Sequence, residues 1–164
     1  MKKMILTAAV AMLAIPAMAS AQSTVTATAT VAQYSQLSGT GDLAFGTLSR
    51  TVDNTIDAAG GVGSATRGLS YNHNVAVSFT SVPAVLTANA GANSLSVSLT
   101  CASRIGAGAW SASSTCSSAT FNLDVGTALT SATIGFGGTI TAAATSNAVA
   151  GNYSGVFNVV VTAR

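Results

Sequence analysis

Few side chains in this sequence could carry chemistry. It contains one histidine, His73, two cysteines and four acidic residues. The serines are numerous, but none lies in a Gly-x-Ser-x-Gly nucleophile motif, so a Ser–His–Asp arrangement could be assembled only by free choice among them. Two cysteines and one histidine cannot by themselves fill a four-ligand zinc site. The sequence therefore predicts no catalytic residue, no metal site and no cofactor, and His73 is interpreted as a structural or surface histidine.

The glycine-rich stretches and the single tryptophan are two further candidates for binding. Segments 60–63 and 106–108 lack the glycine spacing and the lysine of a phosphate-binding loop, so they are interpreted as flexible turns. Trp110 lies between the two cysteines in the sequence. It could be an exposed carbohydrate-binding ring or an apolar plug over one end of the fold, and the plug is the favoured interpretation.

Cys101 and Cys116 are the two cysteines. An even number of cysteines in an exported protein favours a disulfide over free thiols. Closing a loop of about 15 residues would stabilise the fold by about 3 kcal/mol. We therefore expect a bond between Cys101 and Cys116.

The first residues have the organisation of a secretory signal peptide. Two lysines precede an uncharged apolar run over residues 4–15, and small residues follow that run. Cleavage after Ala19 or Ala21 fits this pattern; Ala21 is favoured and leaves Gln22 as the mature terminus. The apolar run is shorter than the roughly 20 residues of a membrane-spanning helix. The sequence thus predicts an exported protein with a signal peptide at residues 1–21.

Removal of the leader would leave a mature chain of about 140 residues, enough for one domain. The formal charge of +2 comes from the two lysines of the leader, so the mature chain has no net charge. Its charges form no basic cluster, and no nucleic-acid partner is expected. Because charge discourages self-association, so low a charge content favours a protein that packs against copies of itself.

Apolar residues alternate with small or polar ones along most of the mature sequence, and no segment shows helical spacing. Such alternation is typical of half-buried strands. Five strands are predicted, over residues 69–79, 95–101, 121–125, 134–140 and 157–161. Glycine-containing turns are predicted between them, one of them at Gly137-Gly138. Short strands separated by regular turns favour an all-β, immunoglobulin-like sandwich.

A further alternating segment lies at the start of the mature chain. Val25, Ala27, Ala29 and Val31 share one face, and threonines occupy the other. The segment could be an ordinary first strand of its own domain. Because it lies at one end and lacks cysteine and charge, it could instead pair with the open sheet edge of another molecule through main-chain hydrogen bonds.

Two short elements bracket most of the mature sequence. The first, at residues 41–48, reads GDLAFGTL and resembles the DLxFG element of pilin-like domains related to spore coat protein U and the archaic chaperone–usher pilus subunits. The second, at residues 151–162, reads GNYSGVFNVVVT and is similar to the closing GxYxGxFxVxV strand of the same group. Their order and spacing strengthen the resemblance.

The resemblance implies an incomplete immunoglobulin-like (pilin-type) β-sandwich with an N-terminal donor strand. In that family the sandwich lacks its last strand, and a periplasmic chaperone first fills the open groove. At an outer-membrane usher, the N-terminal strand of the next subunit then replaces the chaperone. Residues 22–33 are the implied donor strand and residues 34–164 the pilin-like domain. The implied donor residues are Val25, Ala27, Ala29 and Val31, and the implied groove residues are Phe157, Val159 and Val161.

The implied function is that of a structural subunit of a bacterial surface pilus or fimbria that serves attachment or biofilm formation. The chain would pass through the periplasm to the cell surface. Its partners would be copies of itself or related pilins, the chaperone and the usher. The alternative is a secreted surface adhesin or coat protein that binds a ligand and does not polymerise. A tip adhesin normally has a separate binding domain, so one predicted domain with a donor strand favours the fibre subunit.

Overall fold

The computed structural model of this chain describes residues 26, 28–89, 92–126 and 128–164. The predicted signal peptide and the implied donor residues Val25 and Ala27 lie outside these ranges. Residues from Ala32 to Arg164 form one structural unit, which contains all the strands described below.

The described residues form short antiparallel strands and one short helix. In chain order the elements are β1 Ser35–Ser38, β2 Asn54–Ile56, β3 Ala65–Tyr71, β4 Val75–Thr80, β5 Val85–Ala88, β6 Ser94–Ser96, β7 Ser98–Ile105, β8 Ser114–Thr115, β9 Thr120–Leu123, β10 Thr130–Ile140, α1 Ala142–Ser146, β11 Tyr153–Ser154 and β12 Asn158–Ala163. The predicted all-β fold is confirmed at this level. No helix in the described part of the chain is long and apolar enough to cross a membrane.

Three sheets contribute side chains to one hydrophobic core. The largest has the strand order β1-β3-β10-β7-β8, and β2 pairs with the last residues of β10. The other two have the orders β12-β4-β9 and β11-β5-β6. Alternation turns Leu69, Val75, Leu95 and Ile134, from four different strands, into the interior, where each is almost fully buried.

The prediction of one continuous strand over residues 69–79 is wrong. The chain bends between β3 and β4, which belong to different sheets. Asparagines hold the bend: the side-chain oxygen of Asn72 accepts from the backbone N–H of Tyr34 (2.6 Å), and that of Asn74 accepts from Val125 (2.9 Å). Such side chain–backbone bonds favour turns over continued strands.

The strand predicted over residues 95–101 is also divided. β6 and β7 lie in different sheets, and between them the N–H of Val97 donates to the carbonyl of Ala84 at 3.0 Å. The apolar alternation continues through both breaks because both sheets face the same core. Alternation therefore identifies the buried face of a segment and not the residue at which the chain changes sheets.

The turn predicted at Gly137-Gly138 is wrong as well, because both glycines lie within β10. A Cβ on Gly135 or Gly137 would overlap the backbone of Ala58 or Ile56, which crosses the outer face of the largest sheet at this point. Glycine is needed here for the close approach of another backbone, a second common reason for glycine in a strand.

The helix α1 was not predicted. It begins after Thr141, whose hydroxyl accepts from the N–H of Ala144 at 3.2 Å, as helix-capping threonines do. Five residues are too few to show an apolar repeat, and the helix contains only alanine, threonine and serine. A contact with another segment holds the helix in place: the buried hydroxyl of Thr145 donates to the carbonyl of Ser49 at 2.9 Å.

Cys101 of β7 and Cys116, which follows β8, form a disulfide with a Cα–Cα distance of 5.1 Å. This is compatible with the predicted bond. Both cysteines are almost fully buried. The bond therefore fastens the loop after β8 to the largest sheet from within the core.

Candidate functional site

A groove with a volume of about 1200 Å³ lies between the segment 41–50 and the segment 148–159. Its lining includes core side chains of four strands: Ala65, Leu95, Leu99, Phe136 and Ile140. These residues have little exposed surface, yet they border an open space. The groove therefore gives access to the hydrophobic core from outside.

The first wall of the groove is the segment 41–48, which is not a strand. Leu43, Phe45 and Leu48 are half-buried and pack against the core. Leu43 and Phe45 thus alternate with exposed residues as they would in a strand, although the segment belongs to no sheet. These side chains belong to the GDLAFGTL element, whose resemblance to pilin-like domains did not assign it to the groove. The alternation of Leu43 and Phe45 was the signal that could have done so.

Two arginines fasten this wall at its ends. The guanidinium of Arg67 donates to the carbonyl of Gly41 at 2.9 Å, and that of Arg50 donates to the carbonyl of Ala148 at 2.8 Å. Both arginines line the groove. Between these ends, the N–H of Ala44 donates to the carbonyl of Gly63 at 3.0 Å. The wall is thus held at a few points and not by a continuous ladder.

The second wall consists of β12 and the residues before it. The ring of Phe157 packs edge-on against Phe136, with ring centroids 5.4 Å apart, and Val159 lies two residues further on. Among the described residues, β12 pairs with β4 alone. Its other edge therefore presents main-chain N–H and C=O groups that no described strand satisfies, and an edge of this kind is a template for a further strand.

The implied site residues fall in three places. Phe157 and Val159, two of the implied groove residues, line this groove. Val161 lies further along β12, where it is half-buried against the core and outside the groove lining. Of the implied donor residues, Ala29 and Val31 are described and both are exposed.

The other candidate residues of the sequence lie away from the groove. His73 is half-buried in the bend between β3 and β4, where Nδ1 lies 3.2 Å from the side-chain oxygen of Asn72. Within the described ranges, no group of three or more His, Cys, Asp or Glu is placed to hold a metal ion. The groove is lined both by apolar core side chains and by polar groups, among them Arg50, Arg67 and Asn152, and such a lining suits the binding of an extended segment.

Trp110 is half-buried on the outer face of the largest sheet, beside Gly135 of β10. The guanidinium of Arg104 lies over its ring, 4.7 Å from the ring centroid, in a cation–π contact. The interpretation as a plug over one end of the fold is therefore wrong in position. The ring covers the face of a sheet where small residues leave room for it.

Comparison with known proteins gives no match: no protein-family model, no curated protein and no solved structure matches this chain. A groove whose apolar part continues into the core, beside a strand edge that no described strand pairs with, suits an extended segment whose side chains alternate between apolar and polar.

Proposed function

We propose that this protein is a structural subunit of a bacterial surface pilus or fimbria, assembled by donor-strand exchange. The finer description of the fold belongs to the same proposal: an incomplete immunoglobulin-like, pilin-type sandwich in which the groove is the position of the absent strand. The observation that carries the proposal is the open, core-lined groove beside the edge of β12 that no described strand pairs with.

A strand inserted in this groove would make two kinds of contact. Its main chain would hydrogen-bond to the free edge of β12, and its inward side chains would cover Leu95, Leu99 and Phe136. Burial of one valine side chain contributes about 1.5–3 kcal/mol, so several inward residues would give a stable complex. The same lining left open would favour aggregation, because exposed apolar surface associates non-specifically.

Residues 22–33 have the side chains that such a strand requires. One face carries Val25, Ala27, Ala29 and Val31, which are apolar and small, and the intervening threonines would face solvent. Small inward side chains suit a groove whose lining already contains large side chains such as Phe45 and Phe157. The segment has no charged residue that insertion would bury.

The proposal includes a path of assembly. The chain is exported by its leader, a periplasmic chaperone occupies the groove, and at an outer-membrane usher the donor strand of the next copy replaces the chaperone. The fibre then stands at the cell surface and serves attachment or biofilm formation. Every step is binding and requires no catalytic residue or cofactor.

The test compares the mature chain with a variant that lacks residues 22–33, by gel filtration and by denaturing electrophoresis without heating. The full mature chain is expected to form ladders that resist denaturant. The deletion variant is expected to stay monomeric and to capture a synthetic peptide of residues 22–33. If both forms remain monomers that ignore the peptide, the proposal fails and a non-polymerising adhesin or coat protein becomes the function to test.

Two altered peptides provide a matched control for that capture. One carries Ala27→Asp and Ala29→Asp on the apolar face, and the other carries Thr26→Asp and Thr28→Asp on the opposite face. Both have the same length and charge. The first is expected to lose capture because its carboxylates would be buried, whereas the second is expected to bind nearly as well as the natural peptide. Equal binding of the two would contradict insertion by the apolar face.

A further inference from the structure

Two exposed apolar patches lie on the domain formed by residues 32–164. The first, the rim patch, consists of Val149 and Val156, which line the mouth of the groove; Val156 is 89% exposed. The second, the pole patch, consists of Tyr34, Ile105 and Leu129; Leu129 is 64% exposed. The three pole residues share one end of the largest sheet, because Tyr34 bonds to Asn72, Ile105 pairs with Ala132 and Leu129 precedes Thr130 at the start of β10. Exposed apolar side chains that share one end of a domain suit an interaction surface.

The two patches lie at opposite ends of the strands. β10 begins beside Leu129, where Thr130 pairs with Tyr71, and it ends at Ile140, after which α1 leads to Val149. β12 begins just after Val156 and ends at Ala163, which pairs with Val75 next to the bend between β3 and β4. The pole patch is therefore at the bend, and the rim patch is at the other end.

The groove opens toward the rim patch. Its lining includes residues 148–159 and no later residue of β12. The last residues of that strand, from Thr162 onward, are exposed. A donor strand paired antiparallel to β12, as all the described strand pairs are, would run toward the start of β12 and would leave the groove near Val156 on its way to its own domain.

The connection between donor strand and donor domain is short. The apolar alternation ends at Val31 and β1 begins at Ser35. The residues between them are fixed to the bend of their own domain, since the side chain of Asn72 donates to the carbonyl of Ala32 at 2.8 Å and accepts from the N–H of Tyr34 at 2.6 Å. Three residues span at most about 10 Å, so the donating domain must lie against the groove it supplies.

We infer that the pole patch of one copy packs against the rim patch of the copy that receives its donor strand. The inference rests on the proposed function and adds a second contact to it, between the two domains. The occupant of the rim patch is a second copy of this chain, because the short connection brings the pole patch of that copy to the mouth of the groove. The contact is apolar on both sides.

The test uses the full mature chain with Leu129→Arg, with Val156→Arg and, as a matched control, with Val62→Arg. Val62 is fully exposed on the loop between β2 and β3, outside both patches. At a fixed protein concentration, the first two variants are expected to have about tenfold less protein in the oligomer bands of the gel. This reduction corresponds to the loss of one buried aliphatic contact. Val62→Arg is expected to change it little.

Capture of a labelled peptide of residues 22–33 by the same full-length chains separates this inference from the proposed function. The peptide carries no domain, so Leu129→Arg should leave its capture unchanged. Unchanged capture with reduced ladders supports the contact between domains. A double variant that carries Leu129→Asp and Val156→Arg in the same chain would place opposite charges across the contact, and recovery of ladders in it would support the contact further. Ladders equal to those of the natural chain in both single variants overturn the inference. Absence of peptide capture by the natural chain would instead refute the proposed function.

Discussion

The two ends of the core differ in how they are closed. Near the bend between β3 and β4, Tyr71 and Val75 are completely buried. Near the groove, Leu43, Phe45 and Phe157 belong to the same apolar cluster but are only half-buried. Both ends are built from alternating apolar residues, so side-chain type does not cause the difference.

The difference lies in the number of strand neighbours. β10 is paired on both edges, by β7 on one side and by β3 and then β2 on the other. Within the described residues β12 is paired only by β4, and the segment 41–48 opposite it has no ladder at all. Among the described residues, the core is therefore open where β12 faces a segment that forms no ladder with it, which leaves room for a further strand.

The largest expected effect comes from a matched pair of leucine truncations. Leu69→Ala, in the closed region, should lower the free energy of unfolding by about 3 kcal/mol because it leaves a cavity. Leu43→Ala, on the groove wall, should cost about 1 kcal/mol because the site is half-open. Chemical denaturation measures both values.

Leu69→Ala and Leu43→Ala should also differ in how much the peptide of residues 22–33 stabilises them. A bound strand stabilises the native state according to its affinity. The stabilisation by the peptide should be smaller in Leu43→Ala, because part of its contact surface is lost, and unchanged in Leu69→Ala. Equal losses in the two variants would mean that the groove wall takes no part in binding.

A pair of glycine substitutions tests the closed outer face. Gly135→Ala should lower the free energy of unfolding by about 2 kcal/mol because the added Cβ would overlap the backbone of Ala58. Gly151→Ala is the control, because no heavy atom lies within 4 Å of its added Cβ. Thermal unfolding of the two variants measures the difference. A neutral Gly135→Ala would show that the loop over β10 moves aside at little cost.

The smallest effect concerns Tyr71 at the closed end and appears only in alkali. Burial raises the pKa of its hydroxyl above its usual value, and the negative charge of Asp124 raises it further. A raised pKa means that the folded state favours the neutral phenol. The associated stability is therefore complete below about pH 10 and is lost as the pH rises through the pKa of the folded state.

The comparison of natural protein with Tyr71→Phe measures this dependence. The natural protein should lose stability above about pH 10 more steeply than the variant does. At neutral pH the variant should differ by less than about 1 kcal/mol, since it lacks only a long hydroxyl contact to the carbonyl of Asp124 at 3.4 Å. Parallel curves above pH 10 would mean that the pKa of Tyr71 is not raised in the folded state.

The sequence was sufficient for the β class and for the buried face of most strands, because alternation reports burial directly. It did not show where the chain changes sheets, since the bend at residues 72–74 depends on hydrogen bonds to Tyr34 and Val125, far away in the chain. The turn predicted at Gly137 was also wrong, because glycine is needed there to let the backbone of Ile56 from another strand come close. Each error concerns a contact between distant segments.

The groove was predictable only in part. Phe157 and Val159 were assigned through the resemblance, and the structure places both in the lining. The opposite wall was not assigned, although Leu43 and Phe45 alternate as the residues of a strand would. The sequence does not show that segment 41–48 lacks a hydrogen-bonded strand partner among the described residues, because pairing depends on which strand lies next to it in space.

The central claim, that the free edge of β12 accepts a strand, is tested most directly by amide hydrogen exchange. In an antiparallel edge strand, alternate N–H groups point away from the paired neighbour. In the variant lacking residues 22–33, the amides of β12 that point away from β4 should exchange quickly and should slow by about a hundredfold when the peptide of residues 22–33 is added. Amides bonded to β4 should change much less. Outward amides that are already protected without peptide, or that the peptide leaves unprotected, would contradict the account.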